Sequence, residues 1–124
     1  MASYRTVRLD DDAVRVTVEG DFSFEAARRL ILDAAADAAT AGQDLLVDLR
    51  PIRAGHSFRE VRELAGTFAA HRDSFRGRVA LLDDFDERFE KTQFFEFVVT
   101  ERGFEVRSFL DEGEAVAWLE RPGR

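Results

Sequence analysis

The sequence predicts an α/β fold: a mixed β-sheet that starts with an N-terminal hairpin and continues through crossover helices, in the order β-β-α-β-α-β-α-β-α. Three observations predict it. Ala13 to Glu19 alternates, with Val14, Val16 and Val18 on one side and Arg15, Thr17 and Glu19 on the other, as in a strand with one wet face. Leu45 to Leu49 and Val79 to Leu82 are nearly solid apolar runs, as in parallel strands covered on both faces. The stretches between carry apolar residues at helical spacing.

The elements follow in order. Tyr4 to Leu9 reads as the first strand, with Val7 and Leu9 on one face, and Asp10-Asp11-Asp12 as a solvated turn into the second. Gly20-Asp21-Phe22-Ser23 ends that strand, and Ser23 is placed as a helix N-cap. Ala27, Leu30, Ile31, Ala34, Ala35 and Ala38 form the apolar stripe of the first helix, with Gly42 placed to stop it. After the run at Leu45 to Leu49, a loop with Pro51 and Gly55 leads to a second helix over about Ser57 to Arg72, expected to bury Phe58, Val61, Leu64, Ala65 and Phe68. Val79 to Leu82 is the next strand. A third helix is expected from about Asp86 to Arg102, ending at Gly103. Val106 to Leu110 is the last strand, and Asp111 opens a short helix through Ala115, Val116, Trp118 and Leu119. The expected core is Leu30, Ile31, Leu46, Leu49, Val61, Leu64, Phe68, Leu81, Val106 and Leu119.

Residues 1–124 read as one domain, with 121–124 as a loose tail. The absence of cysteine excludes disulfides and thiolate chemistry. No apolar run reaches the length of a membrane span, and Met1-Ala2-Ser3-Tyr4-Arg5 lacks the core of a signal peptide, so the expected location is cytoplasmic. A formal charge of -7 argues against nucleic acid and anionic membrane surfaces as partners, since both require a basic footprint.

Chemistry has few footholds. The two histidines, His56 and His71, lack a nucleophile elbow or an orienting partner, and His56 reads as a polar loop residue. No glycine-rich phosphate loop follows a strand. The chain therefore reads as non-catalytic and without a cofactor. Asp83, Asp84 and Asp86 are the weak metal candidates, although acidic residues at a helix start ordinarily serve the helix dipole. Ser57 and Glu60 form the Ser-x-x-Glu pattern of a capping box. The same helix start suits a phosphate, because free N–H groups and a partial positive charge meet there. Ser57 is thus both a candidate helix cap and a candidate phospho-acceptor. On the third helix Phe89, Phe94, Phe95, Phe97, Val98 and Val99 wrap most of the circumference. Phe94, Phe97 and Val98 are the candidate surface for a protein partner or an apolar ligand.

Three stretches carry a resemblance: Leu46-Val47-Asp48-Leu49-Arg50; Gln93-Phe94-Phe95-Glu96 with Glu101-Arg102-Gly103-Phe104-Glu105-Val106-Arg107; and Asp111 with Glu114-Ala115-Val116-Ala117-Trp118-Leu119. In this order they resemble the STAS fold of bacterial anti-sigma factor antagonists, and more closely the small STAS-like, or SpoIIAA-like, bacterial proteins. The resemblance implies a regulatory or protein-interaction module. It also implies that a serine at the start of the second helix is phosphorylated by a partner kinase, and Ser57 matches in spacing from Asp48. The flanking residues differ, with His56 where an acidic residue is expected and Phe58 where a small one is. The comparison of STAS-like proteins with CRAL-TRIO lipid-transfer domains implies a second role, an apolar ligand held between the sheet and the third helix. A protein partner, a homodimer and a small apolar ligand all remain open at this point.

Overall fold

The computed structural model describes residues 2–122. Six strands and four helices follow one another as β1 (Ser3–Arg8), β2 (Ala13–Asp21), α1 (Phe24–Ala36), β3 (Asp44–Asp48), β4 (Ile52–Arg53), α2 (Phe58–Ala69), β5 (Val79–Leu82), α3 (Glu87–Thr100), β6 (Val106–Phe109) and α4 (Glu112–Glu120). The sheet order is β1-β2-β3-β5-β6, and β4 pairs with the far end of β2. Among the described residues only the β1–β2 hairpin is antiparallel; β2–β3, β2–β4, β3–β5 and β5–β6 are parallel.

This order decides where the helices go. From β2 the chain steps through β3, β5 and β6 in one direction, and each crossover is expected to be right-handed. Three successive crossovers of one hand place α1, α2 and α3 on the same face. Their buried residues Ala27, Leu30, Leu64, Ala65, Phe68 and Val99 share a core with Val14, Val16, Val18, Leu45, Val79, Leu81 and Val106. No strand follows α4, so it is free to cover the opposite face, where Ala115 and Leu119 pack on Leu46, Ala80, Leu82 and Phe109. The two solid apolar runs are thus covered on both sides. On β2 the alternate residue Glu19 stays exposed, while Arg15 and Thr17 are half-buried.

Several boundaries differ from the expectation. α1 stops at Ala36 rather than near Gly42, because Thr40 donates its hydroxyl to the Ala34 carbonyl at 2.7 Å and folds the chain into a turn. Gly42 closes that turn with φ +78°. α2 ends at Ala69 instead of Arg72, where His71 and Ser74 continue as turns. β1 ends at Arg8, and Leu9 lies in the turn. β4 was not anticipated, being two residues long. Gly77 lets the chain enter β5 closely: a Cβ there would lie 2.6 Å from the Gln43 carbonyl oxygen. Arg121 and Pro122 are exposed, and the rest of the expected tail lies outside the described residues.

Of the expected core, Leu30, Leu46, Val61, Leu64, Phe68, Leu81, Val106 and Leu119 are buried. Ile31 and Leu49 are only half-buried, and Phe58, expected to be inside, is 45% exposed. Phe58 sits at the first position of α2, and its ring meets Phe94 edge-on at 5.3 Å.

Candidate functional site: a chamber between the sheet and three helices

Val47 is a central-strand residue on the helix-covered face, yet it is only half-buried. It faces a cavity of about 680 Å3, partly open to solvent, between the sheet and α1, α2 and α3. Ile31 and Leu49 line the same cavity, which explains their partial exposure. The volume falls within the roughly 300–1,000 Å3 of small-molecule sites. Phe68 and Phe75, stacked at 4.2 Å, wall the chamber near Leu45 and Val79 at the start of the parallel strands. Phe104 and Phe95 meet Phe68 edge-on at 4.9 and 5.5 Å and extend this aromatic packing.

The opposite end is polar. It lies where β3 and β5 finish, the edge at which ligands gather in parallel sheets. Asp83 and Asp86 line it from the β5–α3 connection, Glu87, Arg88, Lys91 and Thr92 from α3, Arg53 from β4, and Ala54 to His56 from the loop before α2. Asp83 is 1% exposed. It accepts hydrogen bonds from the Asp84 N–H at 2.8 Å and the Thr92 hydroxyl at 3.1 Å, and Arg88 lies 3.1 Å away. Burial pushes the Asp83 carboxyl above the usual carboxylate range, against the pull of those partners. Arg88 also donates to the carbonyls of Ile52 at 2.6 Å and Leu49 at 3.4 Å. One guanidinium thereby ties α3 to β5 and to the β3–β4 connection.

Two groups at this end have capacity left. The Nε2 of His56 is buried and has no hydrogen-bond partner among the described residues. Lys91 makes no ion pair with them; its ammonium lies 5.1 Å from the centre of the Phe58 ring. The sequence marks Lys91 as the single lysine among arginines. Arg88, Lys91, Thr92 and Phe95 recur at i, i+3, i+4 and i+7, which puts one face of α3 against the chamber. That spacing is visible in the sequence, but it does not show which face of α3 meets open volume.

The expected site residues take up separate places. Ser57 is the exposed N-cap of α2; its Oγ accepts the Glu60 N–H at 3.1 Å, and Glu60 Oε1 accepts the Ser57 N–H at 2.9 Å. Neither lines the chamber. Phe94 and Val98 are half-buried and Phe97 is 60% exposed; these too lie outside it, whereas Phe95 lines it. Asp83, Asp84 and Asp86 converge on Arg88, and Asp86 also caps α3. Among the described residues, no group of three or more His, Cys, Asp or Glu side chains is placed to hold a metal ion.

On the α4 face, Asp48 at the end of β3 is held by Arg50 and Arg15 at 2.9 and 2.8 Å. Both arginines also reach Glu112 in the first turn of α4, at 3.0 and 3.1 Å. Burial raises the Asp48 carboxyl, but the hydrogen bonds and charge of Arg50, with the charge of Arg15, outweigh it and leave the group below its ordinary value. This network fastens α4 to the sheet and stands away from the chamber.

No protein-family model matches the chain, and no curated protein matches it significantly. Solved structures do. One is an uncharacterised protein of the DUF3478 family, described as SpoIIAA-like in fold, from Shewanella loihica PV-4. It is 18% identical, with TM-score 0.60 over 95% of this chain and 93% of that one. The chain has the SpoIIAA-like fold. An anti-sigma factor antagonist from Mycobacterium paratuberculosis matches with TM-score 0.61 at 14% identity, covering 98% of this chain and 96% of that one. The anti-sigma factor antagonist SpoIIAA in its unphosphorylated form matches with TM-score 0.54 at 15% identity, covering 97% and 100%. Among the described residues, no helix of this SpoIIAA-like fold is long and apolar enough to cross a membrane.

Proposed function

We propose that this SpoIIAA-like chain is a non-catalytic module that binds a small apolar molecule between its sheet and α1, α2 and α3, as a carrier or sensor. The observation that supports this is the chamber itself. A central-strand valine faces open volume where a close-packed interior would supply a neighbour. Apolar volume without partner atoms loses dispersion contacts, so a fitting molecule recovers them. Aromatic and aliphatic walls with a few polar groups at one end have the composition of ligand pockets.

The test is binding of an apolar reporter dye, with native mass spectrometry of protein purified without detergent. One dye per chain should bind, and Ala34→Phe, which fills the chamber from α1, should abolish binding while the protein stays folded. Dye binding unaffected by Ala34→Phe would refute the reading.

A second reading, a regulatory protein-interaction module, draws support from the likeness to anti-sigma factor antagonists and from Ser57, exposed at a helix start beside Phe58 and Phe94. Its test is capture of partners by wild-type, Ser57→Ala and Ser57→Asp proteins. Partner sets that are identical for all three would leave Ser57 with its capping role alone.

A further inference from the structure

The two ends of the chamber differ in chemistry, and the difference constrains what fits. The walls toward Phe68, Phe75, Leu45 and Val79 offer only carbon. The charged residues that line the chamber lie at the other end, on β4, just after β5 or in the first turns of α3. Along the floor, Val79 and Asp83 are separated by about 13 Å at ~3.3 Å per residue. The chamber thus has an apolar axis with one polar end, and a molecule with the same polarity satisfies both.

The polar end also selects the head. Arg88 is committed to Asp83, Asp86 and the carbonyls of Leu49 and Ile52. Asp83 already accepts from Asp84, Thr92 and Arg88, so it has little left to offer a cationic or donor-rich head. Arg53 is spent on Asp21 at 2.8 Å and is exposed. Glu87 lies one turn before Lys91 but is exposed, so water screens its charge. The accessible group with bonding capacity left is the Lys91 ammonium, a donor only; the unpartnered Nε2 of His56 is closed off from the chamber. Phe58 holds the ammonium at the rim without neutralising it, through the face of its ring.

Building on the reading above, we propose that the chamber takes a single-chain amphiphile with a carboxylate head, its tail toward Phe68 and Phe75 and its head against Lys91. A carboxylate supplies the Lys91 ammonium with both an acceptor and a counter-charge. An uncharged alcohol of the same tail would fill the same volume but leave Lys91 without a counter-charge.

The experiment is calorimetric titration of the full chain with dodecanoate and dodecyltrimethylammonium below their micelle concentrations and with dodecanol below its solubility limit. Dodecanoate should bind about tenfold or more tightly than dodecanol, the worth of a charge-assisted hydrogen bond, and the cation weakest. Lys91→Met should remove the preference for dodecanoate over dodecanol, while an unchanged far-ultraviolet circular dichroism spectrum and melting transition show that the variant is folded. Lys91→Arg should keep the preference. Equal binding of dodecanoate and dodecanol, or a preference that survives Lys91→Met, would overturn the head-group assignment while the chamber reading stands. Failure of all three amphiphiles to bind would overturn both.

Discussion

Replacing Arg88 by methionine tests how the polar end of the chamber is held. The methionine keeps the apolar stem of the side chain but removes the cation 3.1 Å from Asp83, a carboxylate that is 1% exposed. Breaking a buried ion pair by deleting one partner costs about 3–5 kcal/mol, because the remaining charge is left uncompensated. The carbonyls of Ile52 and Leu49 also lose a donor, at about 0.5–1.5 kcal/mol for a typical hydrogen bond. The expected loss at neutral pH is therefore at least about 3 kcal/mol. The pH dependence has a definite sign. Burial already raises the Asp83 carboxyl in the folded protein, and loss of Arg88 raises it further. The stability that a raised acid contributes is present below its unfolded pKa and is lost as pH rises through the folded pKa. The deficit of Arg88→Met should thus be largest near neutrality and shrink in mild acid, where Asp83 takes up a proton. Asp83→Asn added to Arg88→Met should restore the larger part, about 2–3 kcal/mol, by removing the stranded charge. Urea denaturation of the two variants and the wild type, near neutral pH and in mild acid, measures these quantities. A double variant no more stable than Arg88→Met, or a deficit independent of pH, would refute the account.

Other consequences are equally direct. Ser57→Ala should destabilise by about 0.5–2 kcal/mol, because the Glu60 N–H loses its acceptor, and Ser57→Asp by less, since aspartate caps as well; thermal or chemical denaturation checks the order. Leu46→Ala, between β3 and α4 at 0% exposure, should cost about 2–5 kcal/mol, and Leu81→Ala, on the chamber wall, should fall toward the low end, because fewer neighbours surround it. Asp48 has a lowered pKa, so its contribution is present above the unfolded value and lost as pH falls through the folded one. Asp48→Asn should flatten the acid limb of the stability profile, and a limb that keeps its slope would count against the Arg15–Asp48–Arg50 network. Tyr4, the only tyrosine, has its phenol pushed up to about 12 by burial and by its hydrogen bond to Asp33, and Asp33→Asn should move its ultraviolet titration toward the ordinary value.

Much of this fold is determined by local pattern. The alternation of Ala13 to Glu19 identifies a strand with one wet face, and the solid runs at Leu45 and Val79 identify strands covered twice, because side-chain direction along a strand is fixed by its period of two. The Ser57–Glu60 box is equally local, since both partners lie within a single helical turn. The handedness of crossovers then places α1, α2 and α3 on one face once the strand order is known.

The chamber was not legible in the same way. Periodicity says that Val47, Leu49 and Ile31 point inward; it does not say how far away the facing element stands. That separation depends on residues distant in sequence, the ring packing of Phe68, Phe75, Phe95 and Phe104 at one end and the reach of Arg88 to Leu49, Ile52 and Asp83 at the other. β4 escaped for a related reason: two residues show no period, and Ile52 and Arg53 become a strand only because β2 extends to Gly20 and Asp21 to receive them. The sequence by itself determined the elements and the side on which each is apolar, because those follow from backbone geometry over a few residues. Only the tertiary structure decided which apolar residues meet one another and which meet open volume, because packing distance is set by side chains from several elements at once.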